Sequence, residues 1–258
     1  MNTWRDKLER YEEFLKSIPV EKYEHLRAIK TVEQDLPREL LPLEIFYKFY
    51  WYGENFADYE EVFCVYWEEK LRFIHKFIEK YFYGCSLRFV KEGFKARLYR
   101  TWMSILTQFH FQYLWNAEFP EIPLYSDHEM DSDGIDAVVE YSSVKVALQI
   151  KKVSYRREAS SRRFTKRQRK LADVIAEVPY IVEDPEVLKE KIKRARKEGT
   201  RERYRLLLEY FQMYFHRLPN GFVIFKSEYV YHVRKVLQEA LQTHELPEKL
   251  PYNRFLPM

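Results

Sequence analysis

The chain has 258 residues, enough for one large domain or two small ones, and its 46% hydrophobic content is enough to bury a core, which excludes wholesale disorder. Its net charge of +4 hides an asymmetry: residues 151–170 hold ten Lys or Arg against one acid, Glu158, so that segment carries +9 and the remainder −5. No apolar run approaches the roughly 20 residues of a membrane span, the N-terminus lacks a signal peptide's apolar stretch, and Cys64 and Cys85 form neither a CxxC pair nor a zinc set.

In chain order, Trp4, Leu8, Tyr11 and Leu15 recur at helical spacing until Pro19 stops the pattern. Pro37 and Pro42 mark a connector that leads into a short helix. Phe63, Trp67, Leu71, Ile74, Ile78 and Tyr81 line one face of a long helix that Gly84 ends, and another helix runs from Leu87 or Phe94 to Trp115. Pro120 and Pro123 close a mainly helical region, residues 1–120. Its many rings read as packed core, with His110 among them.

Residues 121–258 have a different character. The run 135–141 is β-rich, and Ser142-Ser143 reads as a tight turn. Val144, Val146, Leu148 and Ile150 then alternate with Lys145, Ala147, Gln149 and Lys151, the pattern of a strand with one buried face. The basic stretch enters a helix near Ala172, residues 177–182 read as a strand and 185–217 as helical. Pro219-Asn220-Gly221 is a turn before a core strand at 222–225, and 230–241 reads as the last helix. The tail, with Pro247, Pro251 and Pro257, reads as loosely ordered. The expected fold is mixed α/β in one integrated domain: a small mixed sheet flanked by a large helical region. Two cysteines without a framework suit a reducing cytoplasm, with both thiols buried.

The chemistry concentrates in residues 129–152, EMDSDGIDAVVEYSSVKVALQIKK. Strand alternation puts Gln149 and Lys151 on one face, and a hairpin brings Asp136, thirteen residues earlier than Gln149, beside them. An acid and a lysine on neighbouring strands resemble the PD-(D/E)xK nuclease motif. Phosphodiester hydrolysis needs that combination: oxygen ligands for Mg²⁺, activation of water by the metal and a cation to offset transition-state charge. Gln149 stands where the motif has a second acid, so Asp131, Glu129 or Asp133 would supply the missing charge. The basic segment follows at once, with Arg156, Arg157, Arg162, Arg163, Lys166 and Arg167 suited to phosphate neutralisation or guanine readout.

Longer words of the sequence resemble the TaqI family of restriction enzymes. They are KTVEQDLPREL at 30–40, ARLYRT at 96–101, SILTQFHFQYLWNA at 104–117, GIDA at 134–137, QIKK at 149–152, EVPY at 177–180 and RLPNGFVIF at 217–225. The resemblance implies a homodimeric type II endonuclease that cuts double-stranded DNA with Mg²⁺ at TCGA, after the T, and has a cognate DNA methyltransferase as genetic partner. It places the family's acidic and lysine positions on Asp131, Asp136 and Lys152. Strand alternation favours Lys151 instead, and both lysines stand as candidates. The competing readings are a structure-specific repair or junction nuclease and a non-catalytic DNA-binding module.

Overall fold

The structure, a computed structural model, describes residues 3–53, 55–141, 143–153, 165, 167–242 and 246–257. Its helices, in chain order, are α1 (Trp4–Ser17), α2 (Val20–Tyr23), α3 (Leu43–Phe46), α4 (Tyr59–Tyr81), α5 (Leu87–Glu118), α6 (His128–Ser132), α7 (Gln168–Leu171), α8 (Pro185–Arg194), α9 (Glu198–Tyr214) and α10 (Ser227–Leu241). The strands are β1 (Ala137–Tyr141), β2 (Val144–Lys152), β3 (Val174–Tyr180), β4 (Phe215–Arg217), β5 (Val223–Phe225) and β6 (Lys249–Leu250). The fold is mixed α/β, mostly helical, with a small mixed sheet, as the sequence implied. The chain divides into two compact units, Tyr11–Phe109 and a second made of Met1–Arg10 with His110–Met258.

In the unit Tyr11–Phe109, the helices form where apolar residues return every three or four positions. Asp58 caps α4 by accepting the Glu61 amide at 2.9 Å, and Gly84, with φ +81°, follows that helix in a conformation other residues resist. The buried side of α4 is Tyr59, Val62, Phe63, Tyr66, Ile74 and Phe77, a stripe rotated from the expected one, and Leu71 and Tyr81 are exposed. Rings fill this interior, and several of their hydroxyls find backbone acceptors, though that of Tyr99 has none. Tyr66 donates to the Leu40 carbonyl at 2.9 Å and Tyr50 to that of Ala57 at 2.7 Å, while the Trp102 indole donates to the Tyr50 hydroxyl at 2.7 Å. Both cysteines are exposed, contrary to expectation. Cys64 follows buried Phe63 on α4 and so faces outward, and Cys85 lies in the turn after Gly84.

The other unit is built on a four-stranded sheet of order β1-β2-β3-β6. β1 and β2 form an antiparallel hairpin, while β2 pairs with β3, and β3 with β6, in parallel. Ser143 takes φ 76° in the connecting turn. β2 is buried on both faces at its centre, since Ala147 joins Ile135, Val138, Ala172 and Ile175 in an apolar cluster with Met130 and Leu171 against it. A strand covered on both sides needs two apolar faces, and alanine at 147 fills the second. β3 starts at Val174, earlier than expected, and all seven of its residues are buried. Residues 185–217 are two helices and the short β4, not one continuous helical run. Val223–Phe225 is buried, but it pairs with β4 in a separate two-stranded sheet.

His110 is a packed residue, as expected: it has no exposed surface, its ring stacks on Phe225 at 6.0 Å, and Nδ1 accepts the Phe225 amide at 3.3 Å. The tail departs from its loose reading. Lys249–Leu250 completes the sheet, Tyr252–Arg254 makes a helical turn, and Phe255 and Leu256 are fully buried. Its prolines flank these pieces and so do not interrupt their hydrogen bonds. Among the described residues, no helix is long and apolar enough to cross a membrane.

Candidate functional site

The hairpin register sets the site. Ala137 faces Leu148, so Asp136, just before β1, comes level with Gln149. The Asp136 amide donates to the Leu148 carbonyl at 3.0 Å. Its own carbonyl turns away and accepts from Gln112 Nε2 at 3.0 Å and Ser126 Oγ at 2.6 Å. The carboxylate takes the place of that carbonyl in the ladder: Oδ2 accepts the Ile150 amide at 2.5 Å. A side chain thus stands in for main chain at the end of β1, which fixes the acid on the sheet.

One face of the sheet gathers the polar groups. Residues directly opposite share a face, as do residues two apart on one strand. Asp136, Gln149 and Lys151 therefore lie together, and Glu177 joins them through its parallel pairing with Gln149. The same face carries Val138, Ala147 and Ile175 further along, so it passes from apolar floor to polar site. Alternation puts Lys152 on the opposite face, level with Tyr180.

The two buried carboxylates have opposite electrostatics. Burial pushes the Asp136 carboxyl up to about 7, and the Ile150 amide and the Lys151 charge offset that only in part. Burial would also raise Glu177, but hydrogen bonds from Lys151 and Lys249 outweigh it and hold the acid below the usual carboxylate range. Both lysines reach the same atom, Glu177 Oε1, at 2.9 Å.

The turn before Asp136 is held in place by amides. Gln149 Nε2 donates to the Gly134 carbonyl at 2.5 Å and Gln168 Nε2 to that of Asp133 at 2.9 Å. Gly134 has φ +83°, and a Cβ there would meet Gln168 Nε2 at 3.4 Å, so glycine suits both the backbone and the space. Asp131 is half-buried on α6, and its carbonyl accepts the Gly134 amide at 2.8 Å. Glu129 is exposed, and Asp127 caps α6 by accepting two amides at 2.8 Å.

Of the basic residues singled out, Arg156, Arg157, Arg162, Arg163 and Lys166 lie outside the described residues. Arg167 pairs with Asp133 at 3.3 Å, which sets the end of the basic run against the turn that leads into Asp136. Arg169 pairs with Glu248 at 3.5 Å. Exposed pairs of this kind contribute about 0–1 kcal/mol.

Among the described residues, no three His, Cys, Asp or Glu side chains converge to hold a metal alone. The donors still fit a hard divalent cation that keeps waters and shares substrate phosphate oxygens, because such ions take only one or two protein carboxylates. Asp136 supplies a desolvated carboxylate that a cation would relieve, and Gln149 supplies an amide oxygen. Sequence reasoning missed Glu177 and Lys249. An acid in the otherwise apolar strand VIAEVPY was the available signal, because a buried charge requires a partner.

The sequence matches the family model for TaqI restriction endonuclease over residues 8–237. It is 48% identical over 242 residues to the type II restriction enzyme TaqI of Thermus aquaticus, which covers 92% of this chain and 90% of that protein. It is 46% identical over 243 residues to the type II restriction enzyme TthHB8I of Thermus thermophilus, again 92% and 90% of the two chains. No solved structure matches the chain.

Proposed function

The chain belongs to the TaqI restriction endonuclease family, and from that premise we propose that it is a Mg²⁺-dependent, homodimeric enzyme that cuts double-stranded DNA at TCGA, after the T. The observation that carries this reading is the shared face of Asp136, Gln149 and Lys151, with a buried carboxylate at its centre. That arrangement resembles a PD-(D/E)xK site in which Gln149 takes the place of the second acid. A two-fold dimer suits a palindrome, and a partner methyltransferase would protect the host's own sites.

In this mechanism Asp136 and Gln149 hold the cation, with Asp131 assisting. The chemistry a bound Mg²⁺ supplies is polarisation of the phosphate and activation of water. Gln149 serves through its oxygen, since its nitrogen is committed to Gly134. Lys151 or Lys152 orients water and phosphate and offsets the growing negative charge, and the shared face favours Lys151. The water oxygen bonds to phosphorus, the bond to the 3′ oxygen breaks, and that oxygen takes up a proton. The products are a 5′-phosphate and a 3′-hydroxyl. Arg156, Arg157, Arg162, Arg163, Lys166 and Arg167 grip the flanking phosphates.

The test is digestion of a sequenced plasmid in Mg²⁺ and in EDTA, with end mapping. Discrete fragments ending in 5′-phosphate at TCGA are expected, with none in EDTA. Cutting without discrete bands would favour a structure-specific nuclease, and binding without cutting would favour a non-catalytic module.

A further inference from the structure

Glu177 is buried between two lysines that come from distant parts of the chain. It lies level with Gln149, on the sheet face of the proposed cleavage site. Its side chain is 7% exposed, whereas those of Lys151 and Lys249 keep 44% and 26% of their surface. The acid forms the base of the cluster, and the two lysine side chains on it keep part of their surface in solvent. Lys249 arrives on β6, whose register with β3 sets Lys249 against Ile175, two residues from Glu177 on the same face. The family match ends at residue 237, so this lysine comes from sequence beyond it.

Two ammonium groups held on one oxygen repel each other, and a single carboxylate between them offsets that repulsion. The trio keeps a net charge of +1, with two donors of fixed position. A phosphodiester carries one negative charge and spare acceptor oxygens, so it is the ligand such a trio suits. We infer that Glu177 is a positioning residue that holds Lys151 and Lys249 as a paired phosphate clamp, and that Lys249 is a DNA-phosphate-binding residue of the cleavage site. This inference rests on the DNA-cleaving function proposed above. Glu177 acts through the lysines: it keeps Lys151 close to Asp136 and Gln149, and it anchors β6 so that Lys249 reaches the same phosphate or its neighbour.

The test uses the full chain and a short duplex carrying its mapped cleavage sequence. Affinity is measured in EDTA by fluorescence anisotropy across a salt series, and single-turnover cleavage is measured in Mg²⁺. Lys249→Met should weaken binding and flatten the slope of log affinity against log salt by about one unit, while Lys249→Arg keeps the parental slope. Glu177→Gln should lower the cleavage rate at saturating DNA by about a hundredfold without weakening binding, since it removes a negative charge. Glu177→Asp should recover part of the rate. A purely structural role for Glu177 predicts instead that rate and binding fall together with melting temperature. The inference is overturned if Lys249→Met keeps the parental slope, or if Glu177→Gln or Glu177→Asp loses binding in step with rate. If the parent binds but does not cut, the proposed function fails, and the salt slope of Lys249→Met still reads the clamp on its own.

Discussion

In the unit Tyr11–Phe109 the side chains removed from water are nearly all apolar or aromatic. Tyr50, Tyr59, Tyr66 and Trp102 fill it, and Thr107 is the one non-aromatic polar residue buried there among the described residues. The sheet-bearing unit also buries Gln112, Gln168, Asp136 and Glu177. Burial of a ring whose hydroxyl meets a carbonyl stabilises a fold, whereas burial of a charge costs free energy unless a partner is supplied. The two carboxylates meet that cost differently. Glu177 has its lysines on hand, while burial leaves Asp136 raised to about 7. The surroundings push these two acids in opposite directions, and among the described residues only the sheet-bearing unit holds such a pair.

Substitutions in the two units should therefore separate activity from stability. The largest effect is expected at Asp136. Asp136→Asn should lower single-turnover cleavage by at least about a thousandfold and yet raise the melting temperature of the metal-free protein at pH 8. The raised folded value means that Asp136 takes up a proton on folding, so its contribution to stability is most favourable below about 4 and is lost as pH rises through about 7. The stabilisation by asparagine should therefore shrink as pH falls from 8 to 5. A melting temperature that drops at pH 8 would show that the buried charge is not under strain.

Next in size, Lys151→Ala should slow cleavage by about a hundredfold and Lys152→Ala by much less. The reverse order in single-turnover rates would move the active lysine to the other sheet face. Smaller again, Arg162→Ala with Arg163→Ala should flatten the salt slope of DNA binding by about two units, and an unchanged slope would remove both from the phosphate contacts. Smallest on chemistry is Trp102→Ala in the helical unit. Denaturant titration should show a loss of about 3–5 kcal/mol, with the cleavage rate of the folded fraction within about twofold of the parent. A large rate loss without a stability loss would end the contrast between the units.

Much of this was legible in the sequence where the signal was local. The periodicity of α1 and α4, the alternation along β2 and the thirteen-residue interval that sets Asp136 beside Gln149 all depend on residues close in the chain. What escaped was non-local. Lys249 meets Glu177 across more than seventy residues, and a two-residue strand among prolines leaves no period to read. Ala147 reads as the polar-side partner of an alternating strand until the cluster that covers it is known. Cys64 reads as a core thiol by residue type, yet one step along a helix from Phe63 is enough to turn it outward.

The parallel pairing of Lys249 and Leu250 with β3 also sets an order in time. During synthesis, β1, β2 and β3 can form their hairpin and crossover while the far edge of β3 at Ile175 and Ala176 is still bare. An open edge of this kind invites pairing with other chains, and α8, α9, β4, β5 and α10 must all be made before β6 can cover it. Over that interval Glu177 has Lys151 but not Lys249. A newly made chain thus carries Asp136 and Glu177 well before Lys249, and ribosome-bound intermediates should be stickier than the finished protein and, with the proposed clamp incomplete, less able to hold DNA.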